Sequence, residues 1–213
     1  MTDLSRTSGT IVVSGTGRVA VEPDIAELRL GVSIARPTVE AARTAAAEAM
    51  TAILAAVLAA GVERRDVRTT LLAVQPRYDY RDGKPPVLSG YDLNNVVEIS
   101  VRDLSILGAV IDGALTAGAT SLDGLTFRVD DPRPAEQAAR TAAVAEARAR
   151  AEALAEAAGV AISGVSDIVE GGPPPAWPQP KAARMALAAD ADTPVEAGTT
   201  EIAVTVTVTF RIG

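Results

Sequence analysis

Few side chains in this sequence have the chemistry that enzyme active sites use. The 213 residues include no histidine and no cysteine, which removes Ser-His-Asp and Cys-His pairs and nearly all zinc, copper and haem ligand sets. Catalysis would have to depend on carboxylates, lysine, tyrosine or serine. No Gly-x-Ser-x-Gly, Ser-x-x-Lys or P-loop motif is present. The sequence predicts a protein that is not an enzyme, with no catalytic residues, cofactor or metal.

One motif has the spacing of a nucleotide site. Gly15-Thr16-Gly17-Arg18-Val19-Ala20 matches the Gly-x-Gly-x-x-Ala fingerprint and follows an apolar strand. The fingerprint requires a helix that starts at the second glycine and directs its amino terminus at a pyrophosphate. Residues 19–22 instead continue a strand pattern that stops at Pro23. We interpret the two glycines as permitting a bulge or twist in a strand.

Three pairs of acids could bind a hard cation or perform acid-base chemistry. None has the Asp-x-Asp-x-Asp-Gly spacing or the downstream glutamate of a calcium loop. All lie beside turns or prolines, which is typical of solvated loop acids. The pairs are Asp79 and Asp82, Asp130 and Asp131, and Asp190 and Asp192.

Aromatic and cationic side chains are densest around the turn dipeptide Asp82-Gly83. Cross-strand packing is the simplest explanation of this cluster. A recognition surface is the alternative, because exposed Tyr and Arg are frequent interface anchors. A lone tryptophan in a proline-rich stretch could dock on a neighbouring subunit or latch onto its own domain. The candidate interaction residues are Arg77, Tyr78, Tyr80, Tyr91 and Trp177.

The overall composition narrows the function classes further. The formal net charge is −7 and the sequence pI is about 4.7, so the phosphates of a nucleic acid would be repelled. Hydrophobic residues make up 48% but aromatic residues only 3%, so the core must consist of Val, Ile, Leu and Ala. We expect no nucleic-acid partner.

Hydrophobic periodicity predicts the elements that position these residues. We expect one hairpin from strands 10–21 and 25–35, a second from strands 66–80 and 87–102, and further strands at 125–129, 162–170 and 199–212. Helices are expected over 38–60, with Thr38 as the cap and Gly61 just past the end, and over 103–118 and 134–158. The first helix has an apolar stripe that includes Ile53, Leu54 and Leu58, and the last has solvent-facing i,i+4 ion pairs such as Glu146/Arg150 and Arg148/Glu152.

These elements predict an α+β fold. We expect a mixed, largely antiparallel sheet built from hairpins, with two long Ala-rich helices and one shorter helix packed on it. Residues 1–213 would form a single domain with a Pro-rich arm or loop at 171–198.

The amino terminus suggests a location. Residues 1–10 contain an early acid and no apolar segment of the kind found in secretory signals. The uninterrupted apolar runs are shorter than the roughly 18 residues that a membrane helix requires. We therefore expect a cytoplasmic protein without a membrane span.

Several ordered segments resemble one bacterial family. Val13-Ser14-Gly15-Thr16-Gly17 followed by residues 21–26 is similar to the opening signature of the SIMPL domain family, and later segments, including Gly90-Tyr91 and Gly118-Ala119, also match. The resemblance implies an α+β fold, homo-oligomers and an envelope or stress-related role, and it supplies no catalytic residues. Many members of the family are exported to the periplasm or outer membrane, and the cytoplasmic expectation departs from that pattern.

Two functions follow from these observations. The first is a non-enzymatic oligomer-forming or interaction protein of this family, with a homo-oligomer as the expected partner. The alternative is a small-molecule or peptide binding module that uses the Tyr/Arg-rich hairpin.

Overall fold

The computed structural model describes residues 9–80, 85–171, 193 and 195–213. Trp177 and most of the predicted arm at 171–198 lie outside the described residues. The elements are β1 (Thr10–Val21), β2 (Ile25–Arg36), α1 (Val39–Ala59), β3 (Val67–Asp79), β4 (Val87–Val101), α2 (Leu107–Thr116), β5 (Ser121–Arg128), α3 (Arg133–Ala158), β6 (Ile162–Glu170) and β7 (Thr200–Ile212). The α+β class is confirmed.

The strands divide between two antiparallel sheets rather than joining one. The first has the order β1-β7-β6 and the second the order β3-β4-β2-β5. The predicted hairpin of β1 with β2 is wrong, because β1 pairs with β7 along its whole length and β2 pairs with β4 and β5. A turn at Pro23 marks where a strand stops, but it does not determine which strand becomes its neighbour. The second predicted hairpin, β3 with β4, is confirmed.

The first sheet packs against α3 through small side chains. A row of alanines at four-residue spacing is buried along the helix, from Ala139 to Ala155. Val206, Val208 and Phe210 of β7 are buried with it. Alanines bring the helix axis close to the sheet, because little side-chain volume separates the two backbones.

Gly15 and Gly17 allow this close approach. A methyl group added at Gly15 would lie 2.1 Å from the carbonyl oxygen of Ala143, and one at Gly17 would lie 1.9 Å from that of Ala139. β1 continues as a strand through both glycines, as the sequence predicted, and no helix begins at the second one. The predicted bulge is wrong, because the register of β1 with β7 is unbroken. The glycines accommodate a helix instead.

The second sheet is covered on one face by α1 and α2. Thr38 caps α1 by accepting a hydrogen bond from the Ala41 N–H at 3.2 Å, as the sequence predicted. Ile53 and Val57 of α1, together with Val110 of α2, are buried against β2 and β4. The larger of the two described apolar clusters forms here, and its buried residues are aliphatic apart from Met50.

By length and composition, α1 is one helix of the described chain that is apolar enough to cross a membrane, with a mean hydropathy of 1.4. One face of it packs into the core just described. Core helices of water-soluble folds pass the same test, so this finding is only weak evidence against the expectation of no membrane span.

By their internal contacts, the elements group into two compact units. One contains β1, α3, β6 and β7, and the other contains β2, α1, β3, β4, α2 and β5. Each has its own apolar cluster. That residues 1–213 act as a single domain stays a prediction.

Candidate functional site

The predicted interaction residues lie on the ribbon formed by β3 and β4. Arg77 is close to the end of β3, and its guanidinium donates two hydrogen bonds to the Asp92 carboxylate of β4, at 2.5 and 3.1 Å. Tyr91 lies opposite Pro76 of β3 on one side and Arg36 of β2 on the other. A cross-strand ion pair therefore holds this part of the ribbon in register.

A shallow cleft of about 170 Å³ opens beside this ion pair. We call it the hairpin cleft, and its lining includes Arg36, Arg77, Ser89 and Tyr91. Gly90 makes the cleft compact, because its φ of 153° and the lack of a side chain let β4 pass close to the Arg36 carbonyl. Because the Arg77 guanidinium is paired with Asp92, Arg36 is the cation of this cleft that suits an anionic ligand.

The other predicted residues are not part of the hairpin cleft. Tyr78 lies opposite Leu88 and is 46% exposed, and Tyr80 follows the end of β3 and is 77% exposed. Trp177 lies outside the described residues. The structure thus brings together Arg77 and Tyr91, and it leaves Tyr78 and Tyr80 on the open surface of the ribbon.

A second cleft lies between α1 and β3, and sequence reasoning missed it. It encloses about 110 Å³, and we call it the helix cleft. Leu54 and Leu58 belong to the predicted apolar stripe of α1 but are only half-buried. The stripe signalled burial, and nothing in the sequence distinguished its core residues from its cleft residues. The lining consists of Leu54, Leu58, Arg64, Val67, Thr69 and Val97.

One buried polar atom lies on the same face of the sheet. Asn95 lies two residues before Val97 in β4, between Val32 of β2 and Leu72 of β3. Its side-chain Oδ1 is buried and has no hydrogen-bond partner among the described residues. Buried polar groups are nearly always paired, so this acceptor is an exception among the described residues.

Two of the paired acids, Asp130 and Asp131, are bound to arginines. Asp130 accepts hydrogen bonds from Arg102 at 2.8 Å and Arg128 at 3.3 Å, and Asp131 accepts from Arg133. The hydrogen bond from Arg102 is the main reason that the pKa of Asp130 is lowered. Asp82, Asp190 and Asp192 lie outside the described residues.

No cluster of three or more acids with metal-binding geometry occurs within residues 9–80, 85–171, 193 and 195–213. The absence of catalytic residues, cofactor and metal stays a prediction.

Comparison with known proteins identifies the family of the chain, which the geometry of these clefts does not. A model of the SIMPL family, described as a protein of unknown function (DUF541), matches residues 11–210. The chain belongs to the SIMPL family. The resemblance inferred from residues 13–26 and the later segments is therefore confirmed.

The chain is also similar to two kinds of bacterial protein. The 26 kDa periplasmic immunogenic protein of Brucella melitensis is 37% identical over 211 residues, which cover 95% of this chain and 84% of the relative. The uncharacterized protein YggE of Escherichia coli K12 is 34% identical over 134 residues, covering 63% and 54% of the two chains.

The predicted cytoplasmic location is wrong. A SIMPL relative that matches 95% of the chain is named a periplasmic protein, which points to the periplasm. The prediction used the composition of residues 1–10, and those residues carry no reliable information about the compartment.

Proposed function

We propose that this SIMPL protein is a non-catalytic component of the bacterial periplasm that assembles into a homo-oligomer. The compartment follows the name of the Brucella relative. Non-catalytic action follows from the lack of histidine and cysteine in the sequence. The stress-related role implied by the resemblance stays a prediction.

The observation that carries the proposal is an apolar surface on the β3–β4 ribbon. Leu72 is 67% exposed and Leu88 is 48% exposed. Beyond Tyr91 toward the turn, β4 pairs with β3 alone. Exposed apolar patches on soluble proteins mark interaction surfaces. We call this the ribbon surface, and its residues, which share one face of the ribbon, are Leu72, Val74, Tyr78 and Leu88.

The contact would be made through side chains rather than by adding a strand. β3 is an edge strand, but its register with β4 shifts between Thr69 and Leu71 and again between Arg77 and Tyr78. Pro76 also lacks an N–H. Bulges and proline are devices that prevent edge-to-edge pairing. The side chains of the ribbon surface therefore remain the means of association.

The test is the native mass of the protein and of a ribbon variant. Light scattering coupled to size exclusion should show an oligomer at micromolar concentration. The double variant Tyr78→Asp, Leu88→Asp places two charges at directly opposed positions, and it should reduce the mass toward the monomer because burying charge at an interface is costly.

Leu154→Asp is the matched control. Leu154 of α3 is an exposed leucine, at 52%, that lies outside the ribbon surface, so its replacement should leave the mass unchanged. A strictly monomeric wild-type protein would contradict the proposal. So would a double variant that keeps the wild-type mass.

A second candidate function, binding of a small anionic ligand, is favoured by the hairpin cleft. Arg36 and Arg77 line it with Tyr91. In a thermal-shift screen of carboxylates and phosphates, at least one compound should raise the melting temperature of the protein, because a ligand that binds the native state stabilises it. The variant Arg36→Gln should remove the shift. A screen without any stabilising ligand would contradict this candidate.

A further inference from the structure

We propose that the helix cleft binds the free carboxyl end of a peptide whose last side chain is aliphatic. The proposal does not depend on the homo-oligomer, because the cleft lies between α1 and β3 and uses no residue of the ribbon surface. Three features of the cleft specify the ligand: its apolar lining, an arginine and its volume.

The lining selects an aliphatic group. Leu54 and Leu58 form one wall, and Val67 and Val97 form the other. A cavity of about 150 Å³ holds a benzene ring, so the helix cleft at about 110 Å³ suits one branched aliphatic side chain. Transfer of that side chain from water into the cleft is favourable.

Arg64 selects a carboxylate. Its exposed guanidinium lines the helix cleft and has no ion pair or side-chain hydrogen bond within the described residues. The next residue differs, since Arg65 pairs with Glu63 at 3.0 Å. An unpaired guanidinium beside an apolar wall can bind a carboxylate through two parallel hydrogen bonds.

The size of the helix cleft selects a terminal residue over a fatty acid with a long chain. At about 110 Å³ the cleft has room for one side chain, and a longer alkyl chain would leave most of its apolar surface in water. The carboxylate at Arg64 and the side chain in the cleft would belong to the same residue, the last of the peptide.

Isothermal titration calorimetry measures the affinity of the full chain for N-acetyl-Ala-Ala-Leu, first as the free acid and then as the carboxyl-terminal amide. The free acid should bind, and the amide should bind about tenfold more weakly or worse because the charge-assisted pair is lost. Arg64→Gln should remove the difference between acid and amide. Arg65→Gln is the matched control and should preserve it.

A third variant tests the apolar part. Leu58→Trp fills the cleft with a larger side chain and should abolish binding of the free acid, while circular dichroism verifies that the variant is folded. Equal affinity for acid and amide would overturn the role of Arg64. Absence of binding at millimolar peptide would overturn the site, and hexanoate binding as tightly as the peptide would overturn the assignment to a peptide.

Discussion

Gly15 and Gly17 are the residues whose meaning depends most on their tertiary neighbours. Their spacing resembles a nucleotide fingerprint, yet both lie in β1 beneath the backbone of α3. The surface of α3 that they meet consists of Ala139, Ala143 and Ala147. The absence of a Cβ at two alternate positions of the strand allows the helix backbone to rest on the sheet.

Replacing Gly17 with alanine should therefore destabilise the protein. The new methyl would lie 1.9 Å from the Ala139 carbonyl oxygen, and a helix backbone cannot rotate away as a flexible side chain can. Overpacking a core typically costs about 1–3 kcal/mol, and we expect about 3 kcal/mol here. Urea denaturation measures the change in the free energy of unfolding.

Gly113→Ala is the control for this prediction. A methyl at Gly113 would meet Ala56 at an ordinary 3.9 Å, and alanine is favoured over glycine inside a helix by about 1 kcal/mol. This variant should be neutral or more stable than the wild type. A Gly17→Ala variant as stable as Gly113→Ala would contradict the packing argument.

The carboxylate of Asp130 should make stability depend on acid pH. The hydrogen bond from Arg102 is the largest cause of the lowered pKa of this carboxyl group. The stabilisation is therefore complete above the unfolded pKa of about 3.9 and is lost as the pH falls through the lower folded pKa. In Arg102→Gln, carboxyl NMR titration should show the pKa of Asp130 moved up toward the ordinary value.

Arg148→Gln serves as the comparison, because Arg148 pairs with Glu152 on the exposed side of α3. It should leave the pKa of Asp130 unchanged. If Arg102→Gln also left it unchanged, the hydrogen bond would not be the cause of the low pKa.

At the scale of elements, α3 both covers the first sheet and blocks its edge. β1 is an edge strand. Glu146 accepts a hydrogen bond from the Thr16 N–H, and Arg150 donates to the Ser14 carbonyl at 2.7 Å. These two side chains, paired with each other at 2.6 Å, satisfy backbone groups that could otherwise recruit a strand from another chain.

Removing this pair should expose the edge of β1. The double variant Glu146→Ala, Arg150→Ala should self-associate at lower protein concentration than the wild type, and dynamic light scattering across a dilution series measures this. Arg148→Ala, Glu152→Ala removes the other i,i+4 pair of α3, whose side chains are exposed. It should behave as the wild type, and equal association of the two double variants would contradict edge protection.

Element types were largely predictable, whereas the role of their side chains was not. The Thr38 cap, the helix that ends near Gly61 and the strand at 162–170 follow from local signals of capping, glycine and alternation. Glu146 and Arg150 were read as a solvent-facing pair because i,i+4 spacing is a property of the helix alone. Their contact with β1 joins positions about 130 residues apart, which no local pattern contains.

At the scale of the whole molecule, the SIMPL assignment and the periplasmic relative change the expected location. The natural gene product, expressed at its own level, should appear in the periplasmic fraction after osmotic shock. A cytoplasmic enzyme and a known periplasmic protein are the fractionation controls. Recovery with the cytoplasmic enzyme would contradict the proposed compartment.

The amino-acid sequence by itself determined the kinds of elements, the aliphatic core, the absence of histidine and cysteine chemistry and the family. Periodicity, capping and composition are local or additive properties, so they can be read along the chain. Only the tertiary structure decided that β1 pairs with β7, that Gly15 and Gly17 lie against the backbone of α3, and that Arg64 borders an apolar cleft. These features arise from contacts between distant segments, and their geometry depends on how whole elements pack.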